Sequence, residues 1–134
     1  MRAAILSVVL ALGVSAAVAQ ERNADIEGVI QSQIDAFLQD DFETAFTYAS
    51  PAIKRLFGTP DRFGSMVRQG YPMVWRPSSV EYLELEPQGA FQYQRVLVTD
   101  GEGVPYLLEY QMIEGDTGWQ INGVRFLGSP PLGA

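Results

Sequence analysis

The residue types best suited to catalysis are thin in this sequence. Its 134 residues contain no histidine and no cysteine. That removes the usual ligands of zinc, copper, haem and iron–sulfur clusters. It also removes the usual base beside a nucleophilic serine. Sixteen carboxylates and six tyrosines remain, and they suit acid–base work. Such chemistry needs a carboxylate of raised pKa in an apolar pocket, beside a tyrosine that donates to a developing oxyanion. Most carboxylates here fall at helix starts, turns or outward strand positions. Asp35, beside an apolar helical stripe, and Glu109, inside a long strand, are the two worth following. Solvent exposure is the expectation for both, because charged side chains are seldom fully buried. Asp40, Asp41 and Glu43 are clustered but lack the spacing and central glycine of a calcium loop, so they read as helix caps. No catalytic residue, metal site or cofactor is assigned.

Binding chemistry is better represented. The run from Arg55 to Pro77, "RLFGTPDRFGSMVRQGYPMVWRP", holds Tyr71, Trp75 and Arg76. An arginine with aromatics holds planar or anionic ligands by charge and cation–π contact. Trp75 and Arg76 are adjacent and would face opposite ways on a strand, and the nearby Pro72 and Pro77 suit a covered sheet edge with Arg76 at the surface. Candidate pocket-lining residues are Phe37, Phe46, Phe63 and Met66 from helical segments, Tyr71 and Trp75 from the proline-flanked stretch, and Tyr110 and Trp119 from strands. Most of these are expected to be ordinary packing, with Tyr71 and Trp75 the more exposed.

The elements that must position these side chains divide the chain in two. Residues 24 to 70 carry helical periodicity. Ile26, Val29, Ile30, Ile34, Phe37 and Leu38 form one stripe, with Asn23 or Asp25 as its cap. Asp40 with Glu43 three residues later reads as a carboxylate capping box opening a second helix. Ser50-Pro51 and Thr59-Pro60 repeat one device, a hydroxyl cap followed by proline in the first helical turn. Gly58 and Gly70 read as the ends of the third and fourth helices. Beyond Pro77 the period becomes two. Strands are expected at 80–86, 91–99, 104–114 and 119–127, joined by glycine-containing hairpin turns. In the last strand Trp119 and Ile121 differ in parity from Val124 and Phe126. A bulge at Gly123 would return all four to one side. Helices followed by an antiparallel meander give an α+β fold. The expected shape is cone-like, with the N-terminal helices packed on a strongly curved sheet and an apolar pocket at the open end.

Residues 1–19 read as a secretory signal peptide: Arg2, an unbroken apolar run, then Ala17-Val18-Ala19 with cleavage after Ala19. An uncleaved anchor is the rival reading, although the run is shorter than the roughly 20 residues of a spanning helix. The expectation is an exported, periplasmic protein. A single domain would cover 20–128, with a frayed tail at 129–134. Formal charge is −7, which argues against nucleic acid and anionic lipid as partners. Membrane contact is expected only through an uncleaved signal. Without cysteine, stability must come from a hydrophobic core.

The run "DDFETAFTYASPAIKRLFGTPDRFGSMVRQGYP" followed later by "WQINGVRFL" resembles the domain of unknown function 4864 family, small exported proteins typical of alphaproteobacteria. That family looks like a branch of the nuclear-transport-factor-2-like superfamily. The resemblance covers about residues 26 to 127 and implies the cone fold. It implies no single activity, since the wider superfamily includes isomerases, dehydratases, cyclases and non-catalytic binding domains. Three readings follow. The first is a non-enzymatic binder of a small apolar or amphipathic molecule. The second is a dimeric envelope accessory protein that associates through its sheet. The third is a cofactor-free lyase or isomerase.

Overall fold

The computed structural model describes residues 22–129. The signal-peptide expectation for 1–19, and nearly all of the expected tail, lie outside the described residues. Five helices come first: α1 (Ala24–Leu38), α2 (Phe42–Thr47), α3 (Pro51–Phe57), α4 (Pro60–Gly70) and α5 (Pro72–Trp75). Four strands follow: β1 (Pro77–Gln88), β2 (Phe91–Asp100), β3 (Pro105–Gly115) and β4 (Gly118–Gly128). They form one antiparallel sheet in sequence order. The sheet is curved and does not close into a barrel, so the architecture is α+β as the two periodicities require. No helix among the described residues is long and apolar enough to cross a membrane.

Capping decides where the helices begin. The Asn23 side chain accepts from the backbone N–H of Asp25 and Ile26 at α1. Ser50 and Thr59 do the same for Ile53 and Arg62, each followed by proline at the helix start. Gly58 ends α3 at φ 80°, a conformation that costs glycine nothing. Two expectations need correction. The cap of α2 is Asp41, which accepts from Thr44 N. Asp40 precedes it in a left-handed conformation, φ 54°, and its carboxylate turns away to Trp75 and Arg76. Nor does Gly70 adopt the left-handed turn. Tyr71 ends α4 at φ −136° and leads at once into the one-turn helix α5, where the prolines suggest a covered sheet edge. Proline at its first position needs no N–H donor, so the same residue that ends one helix opens the next.

The core lies between the helices and the inner sheet face. Ile26, Ile30, Ile34 and Phe37 of α1 are fully buried against Val96, Val98, Leu108, Tyr110 and Met112. Leu38 leaves the stripe and is exposed. At Gly64 an added Cβ would lie 2.6 Å from the Phe42 ring, so the glycine is what lets α2 and α4 approach. The segment after α2 joins the sheet: Ala49 bridges Ile121, Ser50 N donates to Ile121 O at 2.8 Å, and Ile121 N donates to Tyr48 O at 2.8 Å. The β4 bulge exists. Gly123 pairs with Gln111 and Ile121 with the next residue, Met112, so Asn122 is the extra residue. It returns Val124 to the core side. Phe126, near the sheet end, stays 54% exposed, against Tyr106.

Candidate functional site

The bulge, the short α3 and the aromatic face of α4 leave a space between them. A cavity of about 220 Å³ lies between α1, α3, α4 and the β3–β4 hairpin. From α1 come Gln33 and Phe37, and from α4 come Phe63, Met66 and Val67. Ile53, Leu56 and Phe57 of α3 form a further wall. Tyr71, Val74, Tyr110, Ile121 and Val124 complete the lining, with Ala49 and Gly123 as its smallest members. Phe63 organises the aromatic side: its ring lies 5.8 Å from Phe37 and 5.7 Å from Phe57. These contacts hold the wall rigid at low entropic cost.

Helix α3 is the outer wall. None of its residues is buried, and Leu56 is 71% exposed. It is held at its start by Ser50, whose hydroxyl caps Ile53 N at 3.3 Å and donates to Asn122 Oδ1 at 2.7 Å. It is released at its end by Gly58. The helix thus covers the cavity through the partly buried Ile53 and Phe57, which pack against the core, while Leu56 stays exposed.

Polar groups at the wall are few. The Tyr71 hydroxyl donates to Val124 O at 3.0 Å, and Gln33 Nε2 donates to Ala45 O at 3.1 Å. The Tyr110 ring lines the cavity, but its hydroxyl is buried behind the wall, 0% exposed and without a hydrogen-bond partner. Burial raises its pKa well above the ordinary tyrosine value, and the nearby Tyr82 and Tyr71 add to the shift. It is therefore a protonated donor throughout the physiological range.

Of the candidates read from the sequence, Phe37, Phe63, Met66, Tyr71 and Tyr110 stand at this cavity. Three do not. Phe46 packs behind the wall, its ring 5.4 Å from Phe63. Trp119 sits in an open polar groove with Tyr48, Asp25 and Glu114 near the start of α1. Trp75 ends α5, and its indole N–H donates to Asp40 Oδ1 at 2.9 Å. Because that segment is helical, Arg76 folds back over the indole, 4.1 Å from its centroid. Arg76 also donates to Phe37 O and to Asp40. The pair is a clasp on the C-terminal end of α1, where a cation suits the helix dipole.

The sequence reading missed the contribution of α3, because a seven-residue helix with no buried side chain carries no periodic signal. Nor was the state of Glu109 foreseen. It is only 5% exposed, yet it faces away from the core. Arg125 donates to its Oε1 from Nε at 2.9 Å and NH2 at 2.8 Å, and Arg95 Nε lies 3.6 Å from Oε2. Asp35 is exposed and accepts from Gln31.

Comparison with known proteins fits this architecture. Residues 19–133 match the family model described as Domain of unknown function (DUF4864), and the chain belongs to that family. No curated protein sequence matches it. A crystal structure from Campylobacter jejuni that carries the name NTF2-like transpeptidase is similar in fold, with a TM-score of 0.57. It is 12% identical, and the similarity covers 75% of this chain and 99% of that one. The likeness supports a nuclear-transport-factor-2-like fold.

Proposed function

Taking that family membership as the premise, we propose that the chain is a non-enzymatic binding protein for a small apolar or amphipathic molecule held in the cavity behind α3. The observation that carries this reading is the cavity itself: apolar walls around a space of about 220 Å³. Larger side chains at Ala49 or Val67 would remove it, yet the space persists. Concave, mostly apolar sites with a few placed polar groups are the usual form of small-molecule sites. Native mass spectrometry of protein purified from its own source tests the reading. A retained small neutral molecule, absent from a Val67→Phe variant that fills the cavity, is the expected result. Ligand-free protein that also gains no thermal stability from neutral apolar compounds contradicts it.

A lyase or isomerase would need a carboxylate facing Tyr110 inside the cavity. The cavity wall carries none among the described residues, and Glu109 occupies the opposite sheet face between two arginines. A sheet-mediated dimer has one specific observation in its favour. The outer face carries an alternating row, Glu84–Arg95–Glu109–Arg125, in which a face-to-face two-fold pairing would place Arg125 over Glu84 and Arg95 over Glu109. Sedimentation at rising salt concentration checks this: such a dimer dissociates as the charges are screened.

A further inference from the structure

Gln33 and Gln94 are both buried, 3% and 1% exposed, and both spend their side-chain nitrogen on backbone carbonyls. Gln94 Nε2 donates to Leu83 O at 3.0 Å and Arg95 O at 2.9 Å, bracing β1 where its register slips between Tyr82 and Leu85. Gln33 Nε2 donates to Ala45 O at 3.1 Å and ties α2 to α1. A carbonyl only accepts, so each bond fixes which end of the amide is oxygen. Neither oxygen has a hydrogen-bond partner among the described residues. The two differ in access. Gln94 Oε1 is sealed in the interior, as is Tyr110 Oη. Gln33 Oε1 is not sealed, and Gln33 stands at the cavity wall. Because the residue as a whole is 97% buried, the surface its oxygen keeps faces the cavity and not bulk solvent.

An open acceptor on an otherwise apolar wall sets what the ligand must bring. It must carry a donor for Gln33 Oε1. A hydroxyl suits the amide best, because Nε2 keeps a second hydrogen that a hydroxyl oxygen can accept. Tyr71 does not compete for Gln33, since its proton is committed to Val124 O. No Asp, Glu, Lys or Arg lines the cavity, so an ammonium or carboxylate would be buried without a counter-charge, which is strongly unfavourable. The rest of the wall needs apolar surface. The space of about 220 Å³ is ample for one ring, since an apolar cavity of about 150 Å³ already takes benzene. Gln33 marks its buried side and Leu56, 71% exposed, its outer lip. Resting on the reading of the cavity as a ligand site, we propose that its ligand is an uncharged alcohol or phenol whose hydroxyl donates to Gln33 Oε1, with its apolar part against α3 and α4.

Four single-ring probes separate the possibilities: phenol, toluene, in which a methyl replaces the hydroxyl, anisole, which keeps the oxygen without its proton, and benzylamine, a charged donor at pH 7. Titrations of the folded protein are followed by NMR shifts of cavity methyl groups. Affinity for a purely apolar space follows transfer from water to cyclohexane, where nothing hydrogen-bonds. Toluene should bind in line with that transfer. Phenol should bind at least about tenfold more tightly than its transfer predicts, because one hydrogen bond in apolar surroundings supplies that much or more. Anisole should show a smaller excess than phenol, and benzylamine should not bind. The Gln33 side-chain carbonyl carbon should shift with phenol and not with toluene, which needs no variant. Gln33→Met should remove the phenol excess. Phenol binding no tighter than its transfer predicts, an equal excess for anisole, an unmoved Gln33 carbon or tight binding of benzylamine overturns the hydroxyl assignment while leaving the cavity a ligand site. Binding of none of the four overturns the ligand site as well.

Discussion

Ser50 and Thr59 look alike in the sequence, each a hydroxyl residue before a proline, but they stand in different surroundings. Thr59 is exposed and bonds only to Arg62 N. Ser50 is 1% exposed, and its hydroxyl also donates to Asn122. Thr59→Ala should therefore cost about 1 kcal/mol and Thr59→Asp almost nothing. Ser50→Ala should cost about 1–2 kcal/mol, and Ser50→Asp should not rescue it, because a carboxylate there is buried and has no proton for Asn122 Oδ1. Urea denaturation of the four variants checks both statements; a full rescue by Ser50→Asp would reduce Ser50 to a cap. Asp40 makes a pH-dependent statement. The Trp75 indole N–H and then Arg76 hold its carboxyl below the usual range. A lowered folded pKa means its contribution is present above the unfolded value of about 3.9 and is lost as pH falls through the folded value. Melting temperature against pH should show a shallower acid limb in Asp40→Asn than in the unaltered protein. An identical limb would show that the clasp draws nothing from the charge.

The elements show what pattern alone conveys. Strand positions were legible because four stretches of polar–apolar alternation are separated by three glycine-containing turns, and the observed strand bounds differ from those expectations by only a few residues. The bulge in β4 was legible as a parity change, although Asn122, not Gly123, is the extra residue. Helix α5 was not, because Tyr71-Pro72 reads as a break. The burial of Glu109 was hidden for another reason. Parity places it outward, and only the tertiary approach of Arg125 and Arg95 covers it. The cavity was legible in part: Phe37, Phe63 and Tyr110 sit on apolar stripes, but stripes do not reveal where helices stop short of filling a sheet. Helix α4 carries the test at this scale. Replacing Val67 by phenylalanine should leave stability within about 1 kcal/mol, since the added ring enters empty space. Overpacking a filled core costs about 1–3 kcal/mol instead. A loss of that size in thermal denaturation would mean that the cavity is closed in solution.

For the molecule as a whole, the account joins a small acidic α+β domain to an apolar cavity under a weakly anchored helix. Export is part of the same proposal: residues 1–19 are expected to be removed, so N-terminal sequencing of the protein from its own cells should begin at Gln20. Met1 retained in the membrane fraction would instead make it an anchored protein. Such a domain has no disulfide or metal ligand of the cysteine or histidine kind to hold it, so the core around Phe37 and Leu108 must supply its stability while the space beside Phe63 stays open. That combination is the central claim. A crystal structure determined under xenon pressure tests it most directly, because xenon occupies dry apolar cavities and leaves filled or polar ones empty. The account predicts a xenon peak among Phe37, Phe63, Val67 and Tyr110, with α3 in place over it. Absence of xenon there, with the side chains of α3 and α4 closed onto Tyr110, would contradict it.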